Sequence, residues 1–340
     1  MDCQTTYRSN GKEKEQAAFK RSSIMQRSPT LTTGTPTRRL KTSPPPVPRP
    51  PSAGAVQGLD ALLFADDVKI YTVVSSRDDS ALLQSSLDGV LDWCRTNNMK
   101  LNSSKCSVMT FSRLHQPSIF QYSLDGQPLD RVFKIKDLGV TFSADLSFND
   151  HVDELCRRAY RMLGFINRST RGMTSSAVLR TLYSSFVRQL LEYASPVWSP
   201  YQLGLVDKLE AVQRRFLRLV GLRRGLLFRD IPVAELQAEL LLPDLRTRRC
   251  VADVLLLIRL IRGELDCPSL LSRVDFRIPS GTRSRELFGR RQYSRNYDFH
   301  GPLARMMRIG NRHCGGLDLF HDGVSTIRRG VLTAAQQDST

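Results

Sequence analysis

The sequence predicts an α+β protein, with an antiparallel sheet and one helix in its first half and helices throughout its second half. Two patterns carry this prediction. Short β-prone runs alternate with turn residues between positions 59 and 145, and apolar residues recur at helical spacing from position 147 onwards. The chain has 340 residues, of which 41% are hydrophobic, and this is enough to build one or two packed domains.

Residues 1–58 are predicted to form a disordered arm. They are rich in Ser, Thr, Pro and basic residues, and such a composition cannot bury enough apolar surface to offset the entropy lost on ordering. The proline run at 44–51 is expected to sample polyproline II, which would suit a polyproline-binding partner. A plain linker is the alternative interpretation of this run.

Residues 59–145 are predicted to form a sheet with one covering helix. Two β-prone runs separated by Asp66 and Asp67 predict a hairpin with both carboxylates at its tip. An amphipathic helix should follow at 80–97, with Asp78 or Asp79 as its N-cap. Its apolar stripe consists of Leu83, Leu87, Val90 and Cys94. Further strands are predicted at 106–111, 120–124, 132–135 and 138–142, with a turn at Asp125-Gly126.

Residues 146–265 are predicted to be helical, and three apolar stripes indicate three packed helices. The first stripe consists of Phe148, Val152, Leu155, Ala159, Met162 and Ile166. The second consists of Val178, Leu179, Leu182, Phe186 and Leu190. The third consists of Leu205, Leu209, Val212, Phe216 and Leu219. Two more helices are predicted at 233–242 and 245–262, and residues 266–340 are expected to be a basic region of loops and short helices.

The net charge of +17 is unevenly distributed. Residues 56–154 carry a net −5, whereas residues 155–225 carry a net +10. A basic excess confined to one segment is typical of a surface that binds nucleic-acid phosphates, and a solvated basic face without a partner is the alternative. The candidate phosphate-binding residues lie opposite the apolar stripes and are Arg157, Arg158, Arg161, Arg168, Arg214, Arg215 and Arg218.

Several classes of protein are excluded by the sequence. The longest apolar run, at 251–261, is too short to span a membrane and contains Arg259, so no membrane association is expected. The amino terminus lacks the layout of a signal peptide. The seven cysteines form no C-x-x-C pair and no zinc-ligand cluster, which favours an intracellular location, with nucleus and cytoplasm both left open.

The segment Phe64-Ala65-Asp66-Asp67 is the sharpest motif in the chain. Two adjacent carboxylates repel each other, and a divalent cation with oxygen ligands offsets that repulsion. An ordinary polar turn is the alternative interpretation of the doublet taken alone.

The residues around the motif favour the metal-binding interpretation over the polar turn. Residues 59–312 resemble the reverse transcriptase of non-LTR retrotransposons, most closely the jockey-type elements of arthropods. Phe64-Ala65-Asp66-Asp67-Val68 resembles the (Y/F)-A-D-D polymerase box. The resemblance continues, in order, through Trp93-Cys94, Leu101-Asn102-Ser103-Ser104-Lys105-Cys106, Leu138-Gly139-Val140, Leu191-Glu192-Tyr193-Ala194-Ser195-Pro196 and Gln213-Arg214-Arg215-Phe216.

This resemblance implies a fold, an activity and site residues. Residues 59–145 would be a partial polymerase palm and residues 146–265 a helical thumb. The activity implied is RNA-directed DNA polymerisation, a nucleotidyl transfer that uses an RNA template, a DNA primer and deoxynucleoside triphosphates. Two Mg²⁺ ions roughly 4 Å apart would serve the reaction. Asp66 would be a metal ligand and catalytic residue with Asp67 as its companion, Lys105 would lie near the triphosphate, and the segment Leu138-Gly139-Val140 would neighbour the primer end.

The chain departs from this family in one respect. The complete polymerase has fingers and a first palm segment that supplies another metal-binding Asp, and neither is recognised before Leu59. Asp60 cannot substitute, because six positions along one strand separate it from Asp66 by roughly 20 Å. The sequence therefore predicts a retrotransposon-derived polymerase fragment that is inactive alone. A non-catalytic nucleic-acid-binding remnant that uses the basic helices is the alternative, and a chain without a function is the third hypothesis.

Overall fold

The computed structural model describes residues 15–21, 60–64, 67–114, 119–277 and 286–338. The described chain divides into two compact units at the Ser147–Phe148 junction. Strands are confined to the first unit, apart from one isolated bridge, while most helices lie in the second, so the predicted mixture of sheet and helix is confirmed in these broad terms. The proline run at 44–51 lies outside the described residues.

The first unit is built on a five-stranded sheet with the order β2-β3-β1-β4-β7. Its strands are β1 (Glu15–Arg21), β2 (Asp60–Phe64), β3 (Asp67–Val74), β4 (Cys106–Phe111) and β7 (Asp130–Arg131). The neighbours β2-β3, β3-β1 and β1-β4 are antiparallel, and β7 pairs with β4 in parallel. The predicted hairpin is therefore present as β2–β3, and the strand predicted at 106–111 is β4.

Asp67 lies at the end of the predicted hairpin, where it pairs with Phe64 and begins β3. The prediction of a disordered arm is wrong for residues 15–21, which form the central strand β1. Pairing with β3 and β4 satisfies the backbone hydrogen bonds of β1 on both sides. Both partners are distant in sequence, so the local composition of residues 15–21 does not predict this strand.

Helix α1 (Arg77–Thr96) covers one face of the sheet. The predicted stripe is buried and packs with Val68 and Ile70 of β3 and with Val108 of β4. Its N-cap is Ser76, whereas the sequence predicted Asp78 or Asp79. Asp79 instead completes a capping box, since its side chain accepts from the Ser76 N–H while the Asp79 N–H donates to the Ser76 hydroxyl.

Two small hairpins complete the first unit. One joins β5 (Ser123–Leu124) to β6 (Gln127–Pro128) through Asp125 and Gly126, and the other joins β8 (Lys134–Asp137) to β9 (Val140–Ser143) through Leu138 and Gly139. All four turn residues have positive φ, as a tight two-residue hairpin turn requires. The strands predicted at 132–135 and 138–142 begin two residues later than expected, because Leu138 and Gly139 form the turn between them. Of the strand predicted at 120–124, only Ser123–Leu124 is a strand.

The second unit is helical. Its first elements are α2 (Asn149–Ser169), α3 (Ser176–Leu182), α4 (Gln189–Glu192), α5 (Ser195–Trp198), α6 (Leu203–Arg223), α7 (Val233–Glu239) and α8 (Leu245–Ile261). The third apolar stripe is buried on α6 as predicted. Helix α2 packs against α6, and both α5 and α6 contact α8.

The second predicted stripe is wrong by one position. Between α3 and α4 the chain forms a π-helical turn, Tyr183–Arg188, which is wider than an α-helix and rotates the buried face. The buried residues are therefore Leu179, Tyr183, Val187 and Leu191. Val178 and Phe186, which the sequence placed in the core, are 42% and 52% exposed.

The C-terminal region packs on α8. It contains α9 (Pro268–Leu271), α10 (Asn296–Phe299), α11 (Pro302–His313) and α12 (Val324–Gln337). Helices α11 and α12 contact α8 and share its core with Phe288, so this region is more helical than the sequence predicted. None of the helices described is both long and apolar enough to cross a membrane.

Candidate nucleic-acid interface

A basic groove of about 870 Å³ runs between α2 and α6. Arg157, Arg161 and Arg168 line it from α2, and Lys208 lines it from α6. The ammonium group of Lys208 donates to Asp153 at 2.7 Å, and this hydrogen bond raises the pKa of the lysine. Since Asp153 cancels the charge of Lys208, the three arginines supply the net positive charge of this groove.

A second groove, of about 260 Å³, adjoins the first, because Tyr160 and Gly164 line both. It adds Arg215 and Arg218 of α6, together with Asn167. We call the two grooves together the α2–α6 surface. It combines five arginine side chains with one partly exposed aromatic ring.

The packing of two helices determines which side chains face this surface. Leu155, Ala159 and Leu163 of α2 are buried, as are Leu209 and Phe216 of α6, so both helices bury their apolar stripes. The groove arginines lie beside this contact, at the border between the buried stripes and the solvent-facing sides of the two helices. At the carboxyl end of both helices, the Arg223 guanidinium donates to the backbone and side-chain oxygens of Asn167 at 2.8 and 2.9 Å.

The surface contains five of the seven arginines that the sequence singled out. Arg158 and Arg214 line neither groove, and the Arg214 guanidinium instead lies 3.4 Å from the Asp207 carboxylate. Sequence reasoning missed Tyr160 and Gly164. The sequence signal that could have found them is an aromatic residue followed four positions later by a glycine. Residues at this spacing lie on the same face of a helix, and the small glycine leaves space there beside the arginines.

One further group lines the first groove without adding charge. Cys156 is 7% exposed, and burial raises the pKa of its thiol to about 11. The thiol is therefore protonated at neutral pH and is unsuited to nucleophilic chemistry.

The first unit carries the carboxylate hairpin. Asp66 lies outside the described residues, and Asp67 is the first residue of β3. Alternation along β3 places Asp67 and Lys69 on the sheet face opposite Val68 and Ile70, which are buried beneath α1. Asp67 therefore faces away from the helix-covered core.

The hairpin β8–β9 approaches the same face. The Lys69 ammonium pairs with the Asp137 carboxylate, and both side chains are less than one fifth exposed. Asp137 directly precedes the Leu138-Gly139 turn, and Val140 after it is buried. The structure thus brings Asp67 and the Leu138–Val140 segment, predicted as separate parts of one site, to the same side of β3.

Lys105 and Asp67 lie at the same end of their strands. Ser107 of β4 and Lys69 of β3 both pair with Lys20 of β1, so β3 and β4 flank β1 at the same register. Lys105 is two residues before Ser107, as Asp67 is two residues before Lys69. Two strand spacings, roughly 10 Å, separate their backbones. Lys105 is exposed in a short 3₁₀ turn.

The described residues do not fit a two-metal centre. Nowhere in residues 67–114, 119–277 and 286–338 do three or more His, Cys, Asp or Glu side chains gather as a metal site would require. Asp137 is already paired with Lys69. Asp67 with Asp137 would be too few ligands for two Mg²⁺ ions.

Comparison with known proteins finds two curated relatives. The RNA-directed DNA polymerase from mobile element jockey of Drosophila funebris is 26% identical over 184 residues, which cover 50% of this chain and 19% of that protein. Its counterpart from Drosophila melanogaster is 25% identical over 187 residues, 52% of this chain and 20% of that protein. The chain thus matches about a fifth of the length of these relatives. No family model matches the chain, and no solved structure matches it.

Proposed function

We propose that this chain, which resembles jockey-type RNA-directed DNA polymerases over about half of its length, is a nucleic-acid-binding part of such a polymerase. In this proposal residues 146–265 act as its thumb, and the α2–α6 surface holds the sugar-phosphate backbone of a primer–template duplex. RNA template, DNA primer and deoxynucleoside triphosphates are the partners that the polymerase activity of the relatives suggests.

The observation that carries the proposal is the state of the arginines on the α2–α6 surface. Within the part of the chain that the structure describes, Arg157, Arg161, Arg168 and Arg215 form no ion pair, while many other arginines of the same unit do. Arg218 lies over the Phe228 ring at 5.3 Å. Side chains that no carboxylate neutralises are available to phosphate oxygens.

The chemistry of such a surface is positioning without sequence preference. Arginine–phosphate contacts carry no information about the bases, so binding should be tolerant of sequence and sensitive to salt. Tyr160 lies between the two grooves and is 42% exposed, so its ring can contact a sugar or an unstacked base. Sequence-tolerant contacts to phosphates and sugars suit an enzyme that must move along its template.

A non-catalytic binding module is the second candidate, and one observation favours it. Asp137, which lies on the same side of β3 as Asp67, is engaged by the Lys69 ammonium, whereas the arginines of the α2–α6 surface named above form no ion pair in the described part of the chain. We therefore expect the chain to bind a primer–template and not to extend it alone, even with Asp66, Asp67 and Lys105 intact.

The test is binding of the whole chain to a fluorescent primer–template at two salt concentrations, followed by Mg²⁺ and nucleotides in the same tube. Salt-sensitive binding without extension supports the binding module. Mg²⁺-dependent extension that is lost in Asp66→Asn supports the polymerase and shows that the carboxylate set is complete. Absence of binding at low salt refutes both candidates.

A further inference from the structure

A separate cavity of about 280 Å³ lies in the helical unit, between α8, α11 and the end of α12. Five arginines line it, against two carboxylates, Asp253 and Asp338. The arginines are Arg246, Arg249, Arg305, Arg308 and Arg312. This cavity shares no lining residue with the α2–α6 surface, so the inference does not depend on how that surface functions.

Arg249 is the unusual member of this set. Its side chain is only 2% exposed, and its Nε, Nη1 and Nη2 atoms are all buried without a hydrogen-bond partner. The nearest carboxylate oxygen, on Glu210, is 4.0 Å away. That carboxylate already accepts from the backbone N–H groups of Leu245 and Arg246 at 3.1 and 2.7 Å. A buried guanidinium with unused donors is costly, and a ligand that accepts from it removes the cost.

A second guanidinium in the cavity also has an unused donor. The Nε atom of Arg308 is buried without a partner, and its guanidinium carbon lies 3.5 Å from the centre of the Phe299 ring. Stacking on an aromatic ring fixes the plane of the guanidinium while leaving its edge available. Arg249 on α8 and Arg308 on α11 therefore offer donors from two different helices.

The other arginines of the cavity are already satisfied or lie nearer the solvent. Arg305 donates to both oxygens of Asp253 at 2.8 and 3.1 Å, and Arg312 pairs with Asp338 at 2.6 Å. Arg246 is exposed. With Asp253 and Asp338 engaged in these pairs and Glu210 near Arg249, the charges of Arg246 and Arg308 remain in excess. Burial and the neighbouring arginines lower the pKa of His300, which agrees with a positive potential in the cavity.

We propose that this cavity is a binding site for a phosphate group, with Arg249 and Arg308 as its principal donors. Tetrahedral oxyanions accept several hydrogen bonds at once and match the fork of a guanidinium. The cavity volume suits one or two phosphate groups and is below the range of pockets that enclose larger ligands, about 300–1,000 Å³. The group can come from free phosphate or pyrophosphate, or from the 5′-phosphate of a nucleic-acid strand.

The test is calorimetric titration of the whole chain with sodium phosphate and with sodium pyrophosphate, at constant ionic strength. We expect a dissociation constant of about 1 mM or tighter for at least one of them. In Arg249→Met that affinity should fall at least about tenfold, the loss of one charge-assisted contact. Arg259→Met is the matched control, because Arg259 lies on the same helix, is 59% exposed and does not line the cavity. Its affinity should be unchanged.

A parallel titration distinguishes the two sources of the phosphate. A short single strand with a 5′-phosphate is compared with the same strand carrying a 5′-hydroxyl. If the strand end is the ligand, the 5′-phosphate tightens binding in wild type and in Arg259→Met but not in Arg249→Met. If a free anion is the ligand, only phosphate or pyrophosphate shows that dependence on Arg249.

Thermal unfolding with and without added phosphate separates a binding role from a structural one. A ligand that binds the folded state raises its melting temperature, so phosphate should raise that of wild type and of Arg259→Met but not that of Arg249→Met. If Arg249 is purely structural, phosphate leaves the melting temperature of wild type unchanged. Arg308→Gln decides the matter if Arg249→Met does not fold, and it too should weaken phosphate binding. No binding by wild type, or equal binding by every variant, overturns the proposal.

Discussion

The strongest prediction from the structure concerns the salt dependence of nucleic-acid binding. The change is the triple substitution Arg157→Gln, Arg161→Gln and Arg168→Gln. It removes the net positive charge of the larger groove and leaves its apolar lining in place. These side chains are on α2 and are not in the core, so the fold should be retained.

The magnitude follows from the number of groove arginines. With each of the five arginines on one phosphate, the slope of log K against log salt is about −4.5, and the triple variant retains about −1.8. Between about 50 and 200 mM salt the wild-type chain should lose about 500-fold in affinity, and the variant only about tenfold.

The assay is fluorescence anisotropy with one DNA duplex at four salt concentrations. The matched control removes three arginines that line neither groove, as Arg158→Gln, Arg214→Gln and Arg259→Gln. The control keeps the same net charge as the test variant, and its slope should stay close to that of wild type. Equal slopes for the two variants would show that total charge alone matters, and that result would refute the assignment of the grooves.

Two further predictions concern stability. Gly221→Ala should cost about 1–3 kcal/mol, because a Cβ atom at Gly221 would lie 2.6 Å from Cγ2 of the buried Ile231. Gly204→Ala is the control near the start of the same helix, where an added Cβ atom would have no neighbouring atom within 4 Å, and it should be neutral or stabilising by about 1 kcal/mol at most. Denaturant titration measures the free energy of unfolding of both variants, and equal effects would contradict the packing argument. Hydrogen bonds from two backbone N–H groups lower the pKa of Asp79 in the folded protein. The ionised carboxylate therefore stabilises the folded state above the ordinary carboxyl pKa of 3.8, and this stabilisation is lost as the pH falls through the lower pKa of the folded state. Asp79→Asn should therefore reduce the loss of stability between pH 5 and pH 3 in thermal melts, and an unchanged acid profile would count against the capping box.

Much of the fold could be predicted from local sequence. The stripes of α1 and α6 repeat at helical spacing, and Asp125-Gly126 supplies the positive φ angles that a tight hairpin needs. Such signals lie within a few residues of one another. The shift at Tyr183 could not be predicted, since an apolar residue every four positions fits an α-helix and a π-helical turn nearly equally well.

The candidate site was predictable in its composition but not in its geometry. The sequence indicates that arginines lie opposite the apolar stripes, but not which of them reach the contact between two helices. Arg158 and Arg161 therefore look equivalent in the sequence and differ in the structure. The sequence did not indicate Arg249, because an arginine in a helical pattern is ordinarily exposed. The helices that pack around α8 bury it.

The central position of β1 has a consequence for how the chain folds as it is synthesised. Lys20 pairs with Lys69 and with Ser107, which lie 49 and 87 positions further along the chain. At about 5–20 residues per second, β1 leaves the ribosome roughly 4–17 s before its second partner does. Throughout that interval one side of β1 has no strand to pair with, and it presents open backbone hydrogen bonds to other chains. The first unit should therefore be slow to fold and sensitive to chaperone supply, since its central pairings are the most distant in sequence.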